Sequence, residues 1–497
     1  MANQLMQIQH IVHLMLENRS FDHMLGVLYD KDNPPPANQP FDGLTGKEFN
    51  PSYPSNEPFR VFDIGTLPSE QRYCMLGTDP GEGFHNYNNQ LYGQPDPSNK
   101  TSPTNLGFIK NFALKIQSDE KKKAPLRPWT RPTNIMGYYT PTLLPVLSTL
   151  ASAYAVCDRW FSSIPGHTWP NRAFAAAATS QGILDNPKTP GWLTAPTIFN
   201  RMSTSFRLRP GREWAIFYPI GGGSHSRTNF AAIQNTNFDA NFGDMDDFSR
   251  RVTNGRLPAY SFIEPGFGAS ENSQHPDYDV AQGEQLIWSI YNTLRTNMEI
   301  WNSTLFIITY DEHGGLYDHV GPPRTATPPD NKTTGQYGFD FSRFGVRIPA
   351  VLVSPLISMG TVFRGPKDTI DHTSVLKTIF ERWGGPAPDY LSNRDKAAPS
   401  LSDVLTLSAP RTDNPLANVT PPAPCPGCSD KATPSALELL HAEQVAQLPV
   451  PDSNGYVDID RRPLPTTAEG VGAFVAERSA AWRAFQKSLE ESCPPGE

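Results

Sequence analysis

The sequence is poor in cysteine, with five residues in a chain of 497, and the number is odd. Small secreted domains that rely on a disulfide framework carry a higher density of paired cysteines, so this class is excluded. Cys425 and Cys428 form one C-x-x-C segment, with no second pair at zinc-finger spacing. This pattern favours a local disulfide or two thiols over a zinc site.

Long apolar runs are also missing. No stretch of about 18 consecutive apolar residues occurs, so we expect no transmembrane helix. Residues 1–7 lack a basic region that leads into an apolar stretch and a small-residue cleavage site, so no signal peptide is predicted. The route of export and the cellular location therefore stay open.

Positive charge is in deficit, because 42 Lys and Arg residues face 50 Asp and Glu residues and the net charge is −8. A nucleic-acid binder needs a basic surface to neutralise phosphates, so we predict no nucleic-acid partner. A phospholipid substrate is not excluded, since a bound metal ion can supply positive charge locally. The sequence does not indicate an oligomeric state.

Proline, by contrast, is abundant, with 50 residues, roughly twice the usual ~5% usage. The prolines are scattered among motif-rich stretches, which favours long ordered loops over a scaffold. Residues 30–135 are polar and Pro-rich and are interpreted as loops near the site, and residues 408–436 as a linker. We therefore predict a catalytic domain over 1–407, a Pro-rich linker over 408–436 and a helical segment over 437–497.

Short apolar runs alternate with helical patterns along the catalytic part of the chain. The apolar runs are nearly continuous, which is typical of central strands covered on both faces. The alternation predicts an α/β fold with a mostly parallel sheet flanked by helices, whose ligands bind at the carboxyl ends of the strands. Strands are expected over residues 8–16, 156–161, 259–263, 304–309 and 348–353, and helices over 143–154, 171–179, 283–298, 374–383, 436–447 and 473–489.

Two acid-bearing pairs follow two of these strands, Glu17 with Asn18 and Asp311 with Glu312. Either pair alone could be a solvated strand end, but together they could hold one cation. Their ligand atoms are all oxygens, which favours Ca²⁺ or Mg²⁺ over a tetrahedral zinc site. The alternative, a zinc site built from histidines and Asp311, lacks the H-E-x-x-H type of spacing.

Thr168 lies just before a predicted helix, since Pro170 suits a first helical turn and an alanine-rich run follows. A hydroxyl at that place faces unpaired backbone N–H groups, which favour a phosphoryl group. Thr168 is thus a candidate nucleophile, with a capping threonine as the alternative. Proton transfer would need histidines, and the candidates, each of which could instead be a structural hydrogen-bonding residue, are His85, His275, His313, His319 and His372.

Three segments in this order resemble the phospholipase C / acid phosphatase A family, which also includes the plant non-specific phospholipases C. The resemblance extends over about residues 7–385, and the match of three long motifs is highly specific. Further matches begin at Asp79, Glu264 and Asp371. The three segments are E-N-R-S-F-D-H at 17–23, P-G-H-T-W-P-N-R at 165–172 and T-Y-D-E-H-G-G at 309–315.

This resemblance implies an alkaline-phosphatase-like fold and a threonine nucleophile bound to a single divalent metal ion. By the family motif, the ion is held by Glu17, Asn18, Thr168, Asp311 and Glu312, with Ca²⁺ or Mg²⁺ favoured and Zn²⁺ possible. His275 and His85 are expected to contact the phosphoryl group, one of them as the general acid. No role follows for His23, His319 and His372.

The family resemblance also bears on substrate and location. Thr168 and Glu312 differ from the serine and aspartate of the phosphatase branch, and both differences favour phospholipase C acting on phosphatidylcholine-type lipids. A broad acid phosphatase using the same site is the alternative, and a catalytically silent binding protein is a third hypothesis. Family members are typically secreted or periplasmic, and the resemblance allows peripheral contact with a membrane. Larger members carry long C-terminal β domains, whereas the given sequence continues beyond the predicted catalytic domain only over residues 408–497.

Overall fold

The fold is built around a single eight-stranded sheet. The computed structural model describes residues 4–97, 101–124, 126–220, 222–267, 272–276, 278–425, 428, 434–451 and 455–492. The spatial order of the strands is β8-β2-β7-β6-β1-β5-β3-β4. In chain order they are β1 His10–Leu16, β2 Ala155–Val156, β3 Trp214–Tyr218, β4 Phe242–Asp244, β5 Tyr260–Ile263, β6 Thr304–Tyr310, β7 Ala350–Val353 and β8 Thr361–Val362.

The sheet is mostly parallel, as predicted. The strand β7 runs antiparallel to β6 and to β2, whereas the other neighbouring pairs are parallel. Every residue of β6 is buried, and so is every residue of β1 after His10. These two strands are therefore the covered centre of the sheet, in agreement with their unbroken apolar sequences.

Helices flank the sheet in two packed groups. One group contains α4, α8, α9 and α10, and the other contains α5, α6, α11 and α12. This is the layered arrangement expected when a mostly parallel sheet is covered on both faces. The helices are α1 Phe21–Leu25, α2 Phe84–Tyr92, α3 Phe108–Lys121, α4 Pro145–Ala153, α5 Thr168–Ala177, α6 Ile198–Thr204, α7 His225–Asn229, α8 Met245–Thr253, α9 Val280–Arg295, α10 Met298–Asn302, α11 Thr373–Trp383, α12 Asn393–Ala397, α13 Ala436–Ala446 and α14 Ala468–Ser492.

The Pro-rich stretch over 30–135 contains α2, α3 and short strand pairs. Phe49–Pro51 pairs with Pro58–Arg60, and Phe62–Asp63 pairs with Gly137–Tyr138. A further short pair, Val450–Pro451 with Val457–Asp458, lies between α13 and α14. None of the helices in the described part of the chain has the length and apolar character needed to cross a bilayer.

The C-terminal helices were predicted and are present as α13 and α14, which pack against each other around Val445, Val471 and Trp482. Before them, the backbone of the predicted linker is bonded to α9, where Trp288 donates its indole N–H to the carbonyl of Val419. The division into a catalytic domain, a linker and a helical segment stays a prediction.

A disulfide joins Cys74 to Cys428 across 354 positions of sequence. The expected local bridge, or pair of thiols, at Cys425 and Cys428 is therefore wrong, because folding brings Cys74 beside the C-x-x-C segment. Cys425 lies next to the bridge, with its sulfur 3.5 Å from the carbonyl oxygen of Glu70. Sequence spacing could not reveal this long-range partner.

Non-reducing proteolysis followed by mass spectrometry is expected to recover a peptide pair linked through Cys74 and Cys428. Cys428→Ser should lower the free energy of unfolding by about 2–5 kcal/mol, because the bridge restricts the unfolded chain over a long loop. The measurement is the denaturation midpoint with and without reductant. A peptide linked through Cys425 and Cys428, with no effect of reductant, would contradict this pairing.

Candidate active site

Two neighbouring strands end with their acidic residues side by side. The register of the parallel pair β1 and β6 aligns Leu16 with Tyr310, the last residue of each strand. Glu17 and Asn18 therefore follow β1 at the same edge of the sheet where Asp311 and Glu312 follow β6. The backbone N–H of Asn18 donates to Oδ1 of Asp311 at 3.0 Å, which joins the two strand ends directly. The structure thus brings the four predicted ligands together at the carboxyl end of the sheet.

The chain turns sharply behind these ligands. Asn18 has a left-handed backbone with φ 52°, and Gly314 has φ 63°. A Cβ atom on Gly314 would come within 2.2 Å of the carbonyl oxygen of Asn18, so only glycine allows this close approach. Gly314 thus lets the chain after β6 pass close to the chain after β1, beside the acidic residues.

The N-terminus of α5 points Thr168 at the same place. Thr168 is the first residue of α5, with His167 at the N-cap, so the helix begins three residues before the predicted start at position 171. The Thr168 hydroxyl donates to Oδ1 of Asn18 at 3.4 Å. In the same helical turn, the backbone N–H of Trp169 donates to Oδ1 of Asn186 at 2.9 Å. Thr168 is fully buried, so its contact with Asn18 places the predicted nucleophile at the ligand cluster.

The cluster carries carboxylate oxygens that have no hydrogen-bond partner among the described residues. These are both oxygens of Glu17 and Oε1 of Glu312, and all are buried. Burial raises the pKa of Glu17 to about 8 against the lowering effect of His275, and the Asp311 carboxylate adds to the rise. Burial and Asp311 likewise raise the pKa of Glu312 to about 8. Buried carboxylates without partners are costly unless a cation joins them.

This donor set fits a divalent metal ion. Its members are carboxylate, amide and hydroxyl oxygens, which are the ligands that Ca²⁺ and Mg²⁺ prefer. Among the described residues, the groups whose ligand atoms all lie within 4.8 Å of one another include Asp79 and Glu82 with His275, but not Glu17 with Asp311 and Glu312. The donor chemistry of the strand-end cluster suits a divalent ion, and its assignment as the metal site stays a prediction.

Arg172, one turn into α5, supports the acidic cluster through hydrogen bonds of its side chain. Its Nε donates to Oδ2 of Asp311 at 3.0 Å, and its Nη2 donates to the carbonyl oxygens of Met15 and Leu16, each at 3.1 Å. The side chain is 2% exposed. Arg172 thus holds the nucleophile helix, β1 and Asp311 in a fixed relation, a role that sequence analysis did not assign to it.

His275 lies beside a second pair of acids. Its Nε2 is 3.5 Å from Oε1 of Glu82 and 3.8 Å from Oδ1 of Asp79, while its Nδ1 donates to the carbonyl of Pro276 at 2.9 Å. Burial alone would lower the pKa of His275, but the two carboxylates outweigh burial and raise it to about 10. The two acids therefore favour the protonated imidazole of His275, whose Nε2 faces both Asp79 and Glu82.

The structure does not bring His85 into this group. Its ring lies in α2 against Tyr337, and its Nδ1 is 3.5 Å from Oδ1 of Asp96, with 45% of the side chain exposed. The residue of that segment that reaches His275 is Glu82, which precedes α2. The prediction that His85 contacts the phosphoryl group stays a prediction without support from its contacts.

His167 was missed as a candidate although it precedes Thr168 in the quoted motif. Its Nδ1 is 3.3 Å from Oδ1 of Asp185. Burial lowers the pKa of His167, but the hydrogen bond to Asp185 and nearby carboxylates reverse the effect and raise it. His167 lines the same cavity as His275. Its position directly before Thr168, the predicted nucleophile, was the signal that could have identified it.

The other candidate histidines, and His23, contact neighbouring groups of the protein. His372 donates its Nε2–H to the carbonyl oxygen of Asp311 at 2.8 Å, which fixes the backbone at the end of β6. His313 contacts Gln90 through Nε2 at 2.9 Å and is fully buried. His23 bonds to the carbonyl of Gly137, and His319 forms ion pairs with Asp22 and Asp42.

A cavity of about 510 Å³ lies beside this site, and its lining among the described residues includes His167 and His275 but not Thr168 or the four strand-end ligands. Charged and polar groups from the catalytic part of the chain form one side of it. The other side comes from the C-terminal helix α13. Its lining includes Asp79, Glu82, Lys115, His167, Asp185, Asn186, Lys188, His275, Ala436, Leu437, Leu439, Leu440 and Glu443.

Comparison with known proteins gives consistent relatives. Residues 8–386 match the model of the Phosphoesterase family. Non-specific phospholipase C3 of Arabidopsis thaliana is 34% identical over 430 residues, which cover 82% of this chain and 75% of the relative. Phospholipase C B of Mycobacterium tuberculosis is 30% identical over 475 residues, with 84% and 83% covered. A solved alkaline phosphatase superfamily protein from Vibrio parahaemolyticus overlaps 52% of this chain and 64% of its own, with a TM-score of 0.30 and 12% identity.

Proposed function

The chain belongs to the phosphoesterase family and is a phosphoric ester hydrolase, and from this premise we propose that it is a phospholipase C. The proposed substrates are phosphatidylcholine-type phospholipids, which are cleaved to diacylglycerol and a phosphorylated headgroup. The names of its relatives support this class of reaction. Because the substrate is a lipid, peripheral contact with a membrane surface is part of the proposal.

The observation that carries the proposal is Thr168 at the N-terminus of α5, in contact with a buried acidic cluster. The positive end of the α5 dipole favours a phosphoryl group at the hydroxyl, while the N–H of Trp169 in this turn is bonded to Asn186. The unpartnered oxygens of Glu17 and Glu312 call for a cation at the same point. A divalent ion held by Glu17, Asn18, Thr168, Asp311 and Glu312 would lower the pKa of the hydroxyl and neutralise the phosphoryl oxygens.

In the proposed reaction the Thr168 oxygen attacks phosphorus and the bond to the diacylglycerol oxygen breaks. The product is a phosphodiester between Thr168 and the headgroup, which water then hydrolyses to restore the threonine. Arg172 keeps the nucleophile helix aligned with Asp311 throughout, so positioning supplies part of the rate.

His275 is the proposed general acid. Asp79 and Glu82 favour its protonated form, and it lines the same cavity as His167, the residue that precedes Thr168. In the first step it would give its proton to the departing diacylglycerol oxygen. In the second step the neutral imidazole would accept a proton from the attacking water.

The experiment that tests the function measures diacylglycerol release from phosphatidylcholine beside hydrolysis of p-nitrophenyl phosphate. A phospholipase C releases diacylglycerol and phosphocholine in equal amounts, and its activity is lost after dialysis against a chelator and restored by Ca²⁺ or Mg²⁺. Monoester turnover without lipid cleavage would instead indicate the acid phosphatase alternative.

His275→Gln is expected to lower kcat for phosphatidylcholine by about 10²–10³-fold, the usual effect of losing a general acid. The loss should be below about tenfold for p-nitrophenyl phosphocholine, because nitrophenolate leaves without being protonated. Both substrates carry the same headgroup and differ in the leaving group. The difference between their losses in kcat therefore measures the contribution of protonating the leaving group.

His85→Gln is the matched comparison for this prediction. It removes a histidine from the same predicted pair at an exposed position, and we expect it to affect both substrates equally and weakly. If His85→Gln, and not His275→Gln, shows the dependence on the leaving group, the general acid has been assigned to the wrong histidine.

A further inference from the structure

The catalytic cavity has one wall that the catalytic part of the chain does not supply. The helix α13 places Ala436, Leu437, Leu439 and Leu440 on this cavity, opposite His275 and the acids that hold it. Leu437 and Leu440 pack with Trp169 and Phe267 in a buried cluster. Since Trp169 directly follows Thr168, α13 lies next to the proposed nucleophile, although more than 260 positions separate the two in sequence.

Polar contacts fix α13 at this place. Gln444 donates its Nε2–H to the carbonyl oxygen of Pro187 and to Oδ1 of Asn229, both at 2.8 Å. Gln447 donates to the carbonyl oxygen of Lys188 at 2.9 Å, and Lys188 forms an ion pair with Glu443 at 3.0 Å. The helix is therefore bonded to the segment over 185–188 at several points along its length.

That segment is itself part of the catalytic arrangement. Its Asp185 pairs with His167, and its Asn186 accepts the N–H of Trp169 in the first turn of α5. Because α13 holds the backbone of Pro187 and Lys188, its position is tied to that of the nucleophile helix. The helix α13 is thus bonded to the same segment that contacts the first turn of α5.

The chemistry of the two sides is different. One side carries His167 and His275 with their acidic partners, and it also carries Lys115 and Lys188, whose positive charges suit a phosphate ester. The side formed by α13 offers leucine and alanine side chains, of which Ala436 is exposed and Leu439 is half-buried. Burial of hydrocarbon against such a surface is favourable in proportion to the apolar area removed from water. A ligand that fills this cavity therefore has an anionic ester at one end and hydrocarbon immediately beside it.

We infer that α13 is the specificity wall of the active site, where Ala436 and Leu439 bind the hydrocarbon next to the phosphate of an amphiphilic ester. This inference rests on the proposed function for the identity of the substrate, in which the hydrocarbon belongs to the diacylglycerol part. It assigns a role in substrate selection to a helix outside the residues that match the family model.

The test uses alkyl phosphocholines with four, six and eight carbons, below the concentration at which they form micelles. Each is assayed as an inhibitor of p-nitrophenyl phosphate hydrolysis by the full-length protein. For the wild type, the inhibition constant should fall about twofold per methylene, half of the roughly fourfold change that full burial of a methylene gives. Leu439→Gln should abolish this dependence and weaken binding of the octyl compound about tenfold, with KM for p-nitrophenyl phosphate changed less than twofold.

Two control variants make the outcome decisive. Leu439→Met keeps an apolar wall and should keep the chain-length dependence, and Met359→Gln makes the same type of change at a residue that is 63% exposed outside the cavity. Ala436→Gln alters the wall at an exposed position, where loss of folding is not a concern, and should also reduce the dependence. If both wall variants retain the wild-type dependence, or the wild type shows none, the inference is overturned.

The assay also separates this inference from the proposed function. Inhibition is measured on a monoester, so a protein that cleaves no phosphatidylcholine can still show the chain-length dependence. In that case the apolar wall stands and phospholipase C action fails. The opposite result is also distinguishable. If the wild type and both wall variants cleave lipid and have the same inhibition constants, phospholipase C activity is supported and the inference about α13 is wrong.

Discussion

Thr168→Val is expected to lower the rate of diacylglycerol release by at least about 10⁴-fold, because it removes the attacking oxygen and keeps the β-branched shape. Thr168 is fully buried at the start of α5, so valine should fill the same space without disturbing the fold. The measurement is kcat/KM for phosphatidylcholine in the presence of saturating Ca²⁺ or Mg²⁺.

Thr168→Ser is the matched control, since it keeps the hydroxyl and should keep measurable turnover. A nucleophile can also be trapped. Acid quenching during turnover, followed by mass spectrometry, should find the phosphorylated headgroup on the peptide that contains Thr168. If Thr168→Val retained wild-type turnover, a capping role for Thr168 would be the correct interpretation and the proposed mechanism would be wrong.

The positions of the ligand pairs were predictable because two simple patterns coincide in them. Glu17 and Asp311 each follow an unbroken apolar run, and adjacent parallel strands end at one edge of a sheet. The register of Leu16 with Tyr310 then brings the pairs together. No long-range information was needed beyond the assumption that the two strands are neighbours.

Other strands of the sheet were predicted poorly or not at all. The strand expected over 156–161 is only the two-residue β2, and β8 also has two residues, too few to show any periodicity. The strand β3, next to the edge of the sheet, follows an Arg- and Pro-containing stretch that obscured it. These strands exist because their neighbours supply the hydrogen bonds and the burial, which is a property of the folded chain and not of the segment.

The choice among the acids and histidines of the 79–85 segment also depended on tertiary structure. Glu82 precedes α2 and faces His275, whereas His85 lies in the first turn of α2 and faces Tyr337. The sequence alone could not give the rotation of this helix. The same limit applies to α13, whose contact with the cavity joins residues far apart in the chain.

Glu17 of the acidic cluster should be needed to bind the ion and yet destabilise the fold of the metal-free protein. Glu17 is buried, both of its carboxylate oxygens lack partners among the described residues, and its pKa is raised to about 8. Without a metal ion, the folded protein therefore holds a proton at Glu17 more tightly than the unfolded chain does. The free energy of unfolding of the metal-free protein should then fall as pH rises from about 4.5 to about 8, with the decline ending above that pH.

Glu17→Gln should abolish metal-dependent activity and yet raise the melting temperature of the metal-free protein at pH 8, by on the order of 5 °C. A neutral amide costs less to bury than a carboxylate beside Asp311, so the variant should lose the part of the pH dependence that Glu17 contributes, while Glu312 and Glu284 keep theirs. Melting temperatures are measured from pH 5 to pH 9 after chelator dialysis and again with Ca²⁺ or Mg²⁺. The added ion should stabilise the wild type and have no effect on the variant.

Glu284→Gln is the control that distinguishes a metal ligand from any buried glutamate. Burial raises the pKa of Glu284 to about 7, but its two oxygens accept the backbone N–H groups of Val146 and Leu147 at 2.7 and 2.9 Å. An amide can accept with one oxygen only, so this variant should be less stable with or without metal. Stabilisation by Glu17→Gln together with destabilisation by Glu284→Gln would show that the cost at Glu17 arises from a carboxylate that lacks its cation. If Glu17→Gln instead lowered the melting temperature of the metal-free protein at pH 8, the carboxylate would have a protein partner and the metal site would have to lie elsewhere.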